Sequence, residues 1–134
     1  MIYNLVEYIR DELYDEDVYV NGRAQLAHAV IPDRCILVKE SGGSIRPWTR
    51  YASLTVQVLT RDKDAPKARA LAHDVLNTLH DKFGLILPAA LVDGVTYAQV
   101  QVAQISALQL PYPLGPDEDG RSVFTTNYQV IMEY

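Results

Sequence analysis

A chain of 134 residues with 49% hydrophobic and 22% charged content is expected to fold as one domain spanning residues 1–134, with a core that needs neither disulfides nor metals. Twelve basic against seventeen acidic residues leave a net charge of −5. No Lys/Arg cluster is dense enough to track a phosphate backbone, which argues against nucleic acid as the main ligand. No apolar run approaches the roughly 20 residues of a membrane span, and Met1-Ile2-Tyr3-Asn4 has neither the basic start nor the apolar centre of a signal peptide. The expectation is a soluble chain made in a cytoplasm, with no membrane partner.

In chain order, Ile2, Leu5, Val6, Ile9 and Leu13 recur at helical spacing and predict an amphipathic helix ending near Tyr14. The acids Asp11, Glu12, Asp15, Glu16 and Asp17 crowd its C-terminal end, where the macrodipole disfavours negative charge and should stop the helix. Val18-Tyr19-Val20 reads as a short strand and Asn21-Gly22 as a turn. Ala24 to Ile31 is ambiguous, and His28 within it reads as a surface or capping residue, having no companion at metal-ligand spacing.

After Pro32-Asp33-Arg34, the run Cys35-Ile36-Leu37-Val38 reads as a central strand. Cys35 is the only cysteine and reads as a buried, inert thiol, which fits a reducing compartment. Ser41 to Arg50 reads as a flexible loop opened by Gly42-Gly43. It lacks the Lys-Ser/Thr of a phosphate-binding loop and presents the single tryptophan, Trp48, between Arg46 and Arg50. Two readings stand for it: an interface, where Trp and Arg are enriched, or Trp48 folded back on its own core.

From Tyr51 the period changes to two, with Ala52, Leu54, Val56 and Val58 alternating with Ser53, Thr55 and Gln57, as in a half-buried strand. Beyond Arg61-Asp62-Lys63-Asp64 the apolar set becomes Ala68, Leu71, Ala72, Val75, Leu76, Leu79 and Phe83, again helical. Asp64 serves as N-cap, Pro66 lies in the first turn and Gly84 marks the stop. Burying Leu71, Val75, Leu76, Leu79 and Phe83 would contribute on the order of 10 kcal/mol before entropy.

Leu85-Ile86-Leu87-Pro88 and the Asp93-Gly94 turn predict a small hairpin or bent connection. Alternation resumes from Val95 through Val102 to Leu108. His73 and His80 share a helix face without a further ligand. Pro111 to Arg121, with three prolines and the acids Asp117, Glu118 and Asp119, reads as a long exposed loop that lacks the spaced oxygens of a calcium site. Ser122 to Glu133 closes the sheet as a strand with Phe124, Tyr128, Val130 and Met132 on one side. No nucleophile elbow, Cys–His pair, His-Glu-x-x-His motif or isolated carboxylate pair is present, so the residues predict no enzyme, cofactor or metal.

These elements predict an α+β fold, a mostly antiparallel sheet with an N-terminal helix and a central amphipathic helix packed on one face. The landmarks go further: Pro32-Asp33-Arg34, Glu40-Ser41-Gly42-Gly43, Val56-Gln57-Val58-Leu59-Thr60-Arg61, an Ala-rich helix, then Gly115-x-Asp117-x-x-Gly120-Arg121-x-x-Phe124-x-x-Asn127-Tyr128 before a terminal strand. Their order and spacing resemble the tail terminator or minor capsid proteins of long-tailed bacteriophages; the segment before Pro32 carries none of them. The resemblance implies a structural virion protein, a subunit of a ring, commonly a hexamer, that caps the tail tube and joins it to the head connector, with DNA passing through the lumen. Six copies at −5 each would total roughly −30. Arg46, Trp48, Arg50, Asp117, Asp119 and Arg121 are the expected interface residues. The competing class is a small monomeric α+β binding domain or an enzyme whose residues meet only in space.

Overall fold

The computed structural model describes residues 1–20 and 31–134; the Asn21-Gly22 turn, His28 and the stretch from Ala24 to Val30 lie outside them. Helix α1 runs over Ile2–Leu13 and stops on Tyr14 in the left-handed conformation. Its stripe of Ile2, Leu5, Val6 and Ile9 is buried. The helix takes in Asp11 and Glu12 and ends before Asp15, Glu16 and Asp17, the direction in which the macrodipole acts.

Strands β1 (Val18–Val20), β2 (Cys35–Ile45) and β3 (Tyr51–Asp62) precede helix α2 (Ala65–Leu79). Then follow β4 (Lys82–Leu87), β5 (Ala90–Val92), β6 (Val95–Tyr97), β7 (Val100–Ala107), β8 (Tyr112–Pro116) and β9 (Ser122–Glu133). The main sheet has the order β1-β2-β3-β9-β7-β4, with β8 added on β9, and every pair in it is antiparallel except β1 with β2. Strand β9 is its spine, matched residue for residue to β3 from Tyr51↔Glu133 to Asp62↔Ser122.

Both helices cover one face. Val56 and Val58 of β3, Tyr128 and Val130 of β9, Ile36 and Val38 of β2, and Val102 and Ile105 of β7 form one core with the α1 stripe and with Leu71, Val75 and Leu79 of α2. Val102 and Ile105 lie three apart, yet both point inward. A bulge between Val102 and Gln104 inserts one extra residue and resets the parity of β7. On the opposite face polar side chains pair across strands, with Gln57 Nε2 donating to Thr125 Oγ1 at 3.1 Å and Gln129 Nε2 to Ser53 Oγ at 2.9 Å.

Four expectations are corrected. Helix α2 ends at Leu79, not at Gly84; His80 is its extended C-cap and Asp81 has φ 53°, so Phe83 falls on β4 and is 66% exposed. The fully buried large side chains of α2 are thus Leu71, Val75 and Leu79, and their contribution is nearer 5–8 kcal/mol. Asp64 holds the N-cap position but makes no side-chain cap bond; the Asp62 carboxylate accepts from the Asp64 N–H instead, at 2.9 Å. The first half of the stretch from Ser41 to Arg50 is strand, since β2 continues to Ile45 and pairs with β3 after a bulge between Glu40 and Gly43. Gly43 is required there, because a Cβ would stand 2.2 Å from the Ser53 carbonyl oxygen. Finally, Tyr112–Pro116 is not loop but β8, an edge strand on β9 with an irregularity between Pro113 and Gly115, the setting in which a sheet tolerates proline.

Asn4 was not foreseen as structural. It is fully buried on α1, and its Nδ2 donates to the carbonyls of Pro88, Ala98 and Tyr97 at 2.9, 3.0 and 3.3 Å. It ties the helix to the chain on both sides of the β5–β6 hairpin, whose two-residue turn Asp93-Gly94 has φ 51° and 79°.

Candidate assembly surfaces

The β2–β3 hairpin projects from one end of the sheet, and every residue from Lys39 to Tyr51 is exposed. At its tip the Arg46 N–H donates to the Tyr51 carbonyl at 3.1 Å and Thr49 Oγ1 to the Arg46 carbonyl at 3.2 Å. The C-terminal residue braces it: the Tyr134 N–H donates to the Arg50 carbonyl at 2.8 Å, and Arg50 Nε to the Tyr134 carbonyl at 3.2 Å. Pro47 sets the first corner of the turn, and Trp48 takes the second with φ 66°, a conformation in which glycine is the comfortable residue. Its indole is fully exposed, at 102%. Trp48 is therefore not folded onto its own core, and it stands between Arg46 and Arg50 at the tip of the arm.

The second expected group, Asp117, Asp119 and Arg121, sits in the turn between β8 and β9. Asp117 Oδ1 accepts from the N–H groups of Arg121 and Asp119 at 2.9 and 3.0 Å, while Oδ2 accepts from Arg121 Nε at 2.8 Å. Burial disfavours the Asp117 carboxylate, but the backbone and side-chain hydrogen bonds of Arg121, with the Asp119 N–H, outweigh it and hold its pKa below the ordinary 3.8. The other guanidinium nitrogens of Arg121 reach Asp119 at 3.0 Å and Asp33 at 3.4 Å, and Lys63 approaches Asp33 at 3.2 Å. Arg121 therefore serves first inside its own subunit. Asp33 was not foreseen in this group, and the only signal for it was its place in one of the landmarks.

Exposed apolar side chains mark further surface. Strand β4 ends the sheet and carries exposed Phe83 and Ile86, and the small hairpin exposes Leu91 and Val95. Leu108, Leu110, Tyr112 and Leu114 are exposed along and before β8. A hollow of about 480 Å³ lies over the first turns of α2, lined by Ala65, Pro66, Arg69, Ala70, His73 and Phe124. There Arg69 stands over the Phe124 ring at 4.8 Å.

Among the described residues the candidate reactive groups are occupied or buried. Cys35 is fully buried and its thiol pKa is pushed up by that burial, so it is a poor nucleophile. His80 is engaged at the β7 end, where its Nδ1 accepts from the Ala107 N–H at 3.0 Å. Among the described residues no group of three or more His, Cys, Asp or Glu is placed to hold a metal, and no helix is long and apolar enough to cross a membrane.

A protruding arm, an uncovered sheet edge and shallow hollows define a class of α+β domain fitted to pack against other proteins. The sequence model of the family described as bacteriophage tail terminator protein matches residues 30–134, and the chain belongs to that family. The family's role is structural, which makes the chain a virion component with partners in phage tail and head assembly. The match begins two residues before the first landmark, and leaves out α1 and β1. No curated protein matches the chain.

Proposed function

We propose that this protein closes into a ring, with six copies as the expected number, that caps the finished tail tube and joins it to the head connector, leaving a lumen through which DNA passes without specific binding. It would be assembled in the host cytoplasm and stand at the head–tail junction of the virion. Family membership supplies the tail; the observation that carries the ring is the Trp48 arm. A heterologous ring needs two different surfaces on each subunit that fit one another. The arm, with Arg46, Trp48 and Arg50 exposed at one end of the sheet, is suited to be one of them. Asp117 and Asp119, displayed on the clasped turn beside Arg121, form a second contact in this reading.

Electron microscopy of the purified protein, with sizing by analytical ultracentrifugation, tests the proposal. Closed rings of uniform size that bind the end of isolated tail tubes are expected. A protein that stays monomeric at high concentration and ignores tube ends would overturn it.

A further inference from the structure

We infer that the hollow over the first turns of α2 is the receptor for Trp48 of a second copy of this chain, so that each subunit carries a knob at one end of its sheet and the matching hole at the other. The inference rests on the ring reading for its place in assembly, but the contact itself is argued from the geometry.

Trp48 cannot fill the hollow of its own subunit. The arm leaves the sheet at Tyr51↔Glu133, whereas Phe124, in the wall of the hollow, pairs with Thr60. Nine residues of β9 separate the two levels, about 30 Å at roughly 3.3 Å per residue. A knob and a hole at opposite ends of one chain make a head-to-tail contact, which closes as a ring or runs on as a filament.

The chemistry of the two parts matches. The hollow, at about 480 Å³, admits an indole, and its walls of Ala65, Pro66, Ala70 and the Phe124 edge are apolar. The Arg69 guanidinium already stands over the Phe124 ring at 4.8 Å and can pair in the same way with an incoming indole, a contact that recurs in interface anchors. Charge fits too. Arg46 and Arg50 flank the knob, while exposed Asp64 lies just before Ala65 at the rim of the hollow. Its carboxylate has no ion-pair partner among the described residues. Lys63, the nearest countercharge to Asp64 in sequence, is engaged with Asp33. The backbone of Trp48 adds an independent pointer: φ 66° favours glycine. The only tryptophan of the chain thus occupies a position where it costs the subunit strain and returns no contact within it.

The test uses the single tryptophan as its own probe. On self-association of the wild-type protein, the emission of Trp48 should shift to the blue. Trp48→Ala should weaken association by about 30-fold or more. Ala70→Glu, a change at an exposed helix position that fills the hollow with a charge, should leave the melting temperature nearly unchanged while abolishing the shift. Trp48→Ala keeps a hole without a knob, and Ala70→Glu a knob without a hole. Mixed, the two should form one-to-one dimers and nothing larger. Oligomers that form with Trp48 emission unmoved, an Ala70→Glu protein that associates like wild type, or a mixture without dimers would each overturn the contact while leaving a ring built on other surfaces standing. A wild-type protein that stays monomeric would overturn both.

Discussion

The guanidinium of Arg121 reaches Asp33, 88 residues earlier in the chain, at 3.4 Å, and so joins the turn before the last strand to the segment that opens β2. The same side chain holds Asp117 at 2.8 Å and Asp119 at 3.0 Å. One arginine thus gathers three carboxylates from two landmarks that are far apart in sequence.

The clasp should be pH-dependent in one direction. Asp33 is held below the ordinary carboxylate value, first by its hydrogen bond with Lys63 and then by Arg121, and Asp117 is lowered as well. A carboxylate whose folded-state pKa is depressed stabilises the fold above its unfolded value of 3.8, and that stability is lost as pH falls through the folded value. Circular-dichroism melts should therefore show wild type losing its advantage over Arg121→Ala below about pH 4, while at pH 7 the two differ by only a few degrees. A difference that persists undiminished at pH 3 would contradict the clasp.

Phe83 and Phe124, the only two phenylalanines, should behave oppositely. Phe124 is buried against Ala68 and Ala72, and Phe124→Ala should cost about 3–5 kcal/mol in denaturant unfolding. Phe83 is 66% exposed on the edge strand, and Phe83→Ala should stay within about 0.5 kcal/mol. Equal losses would mean that Phe83 belongs to the core.

That pair also marks how far the sequence could be read. Periodicity identified both helices, and alternation placed β3 and β9, because each buries one continuous face that leaves a repeating imprint. Phe83 kept the helical rhythm by coincidence; the helix had ended four residues earlier, at Leu79, and the chain then turns at a left-handed Asp81 that no side-chain pattern announces. Strand β8 was hidden by its prolines, which an edge strand tolerates. The parity change at Ala103 was invisible because a bulge is a backbone event. Of the candidate surfaces, the Arg46-Pro47-Trp48-Thr49-Arg50 tip was legible from composition alone. The hollow was not, since Ala65, Pro66 and Arg69 meet Phe124 only once α2 lies on β9.

Asn4 should prove the most sensitive polar residue of the fold. Asn4→Ala removes the donor shared by three carbonyls in a buried site and should cost about 2–3 kcal/mol. Hydrogen exchange should then quicken in α1 and the β5–β6 hairpin before it does in β3 and β9. Uniform acceleration would mean that α1 is not anchored at this point.

Trp48 should trade stability for assembly. At φ 66°, Trp48→Gly relieves the backbone and should leave the isolated subunit as stable as wild type or more so, yet poorer at ring formation. A glycine variant that loses monomer stability would place the indole in contacts within its own subunit.

The central claim is the capping of a tail by this protein, and particles made without it test that claim most directly. Electron micrographs of lysates from a phage lacking the gene should show filled heads beside over-long or ragged tails that have not joined, and supplying the wild-type protein should restore complete particles. Normal tails of uniform length joined to heads in the absence of this chain would contradict the account.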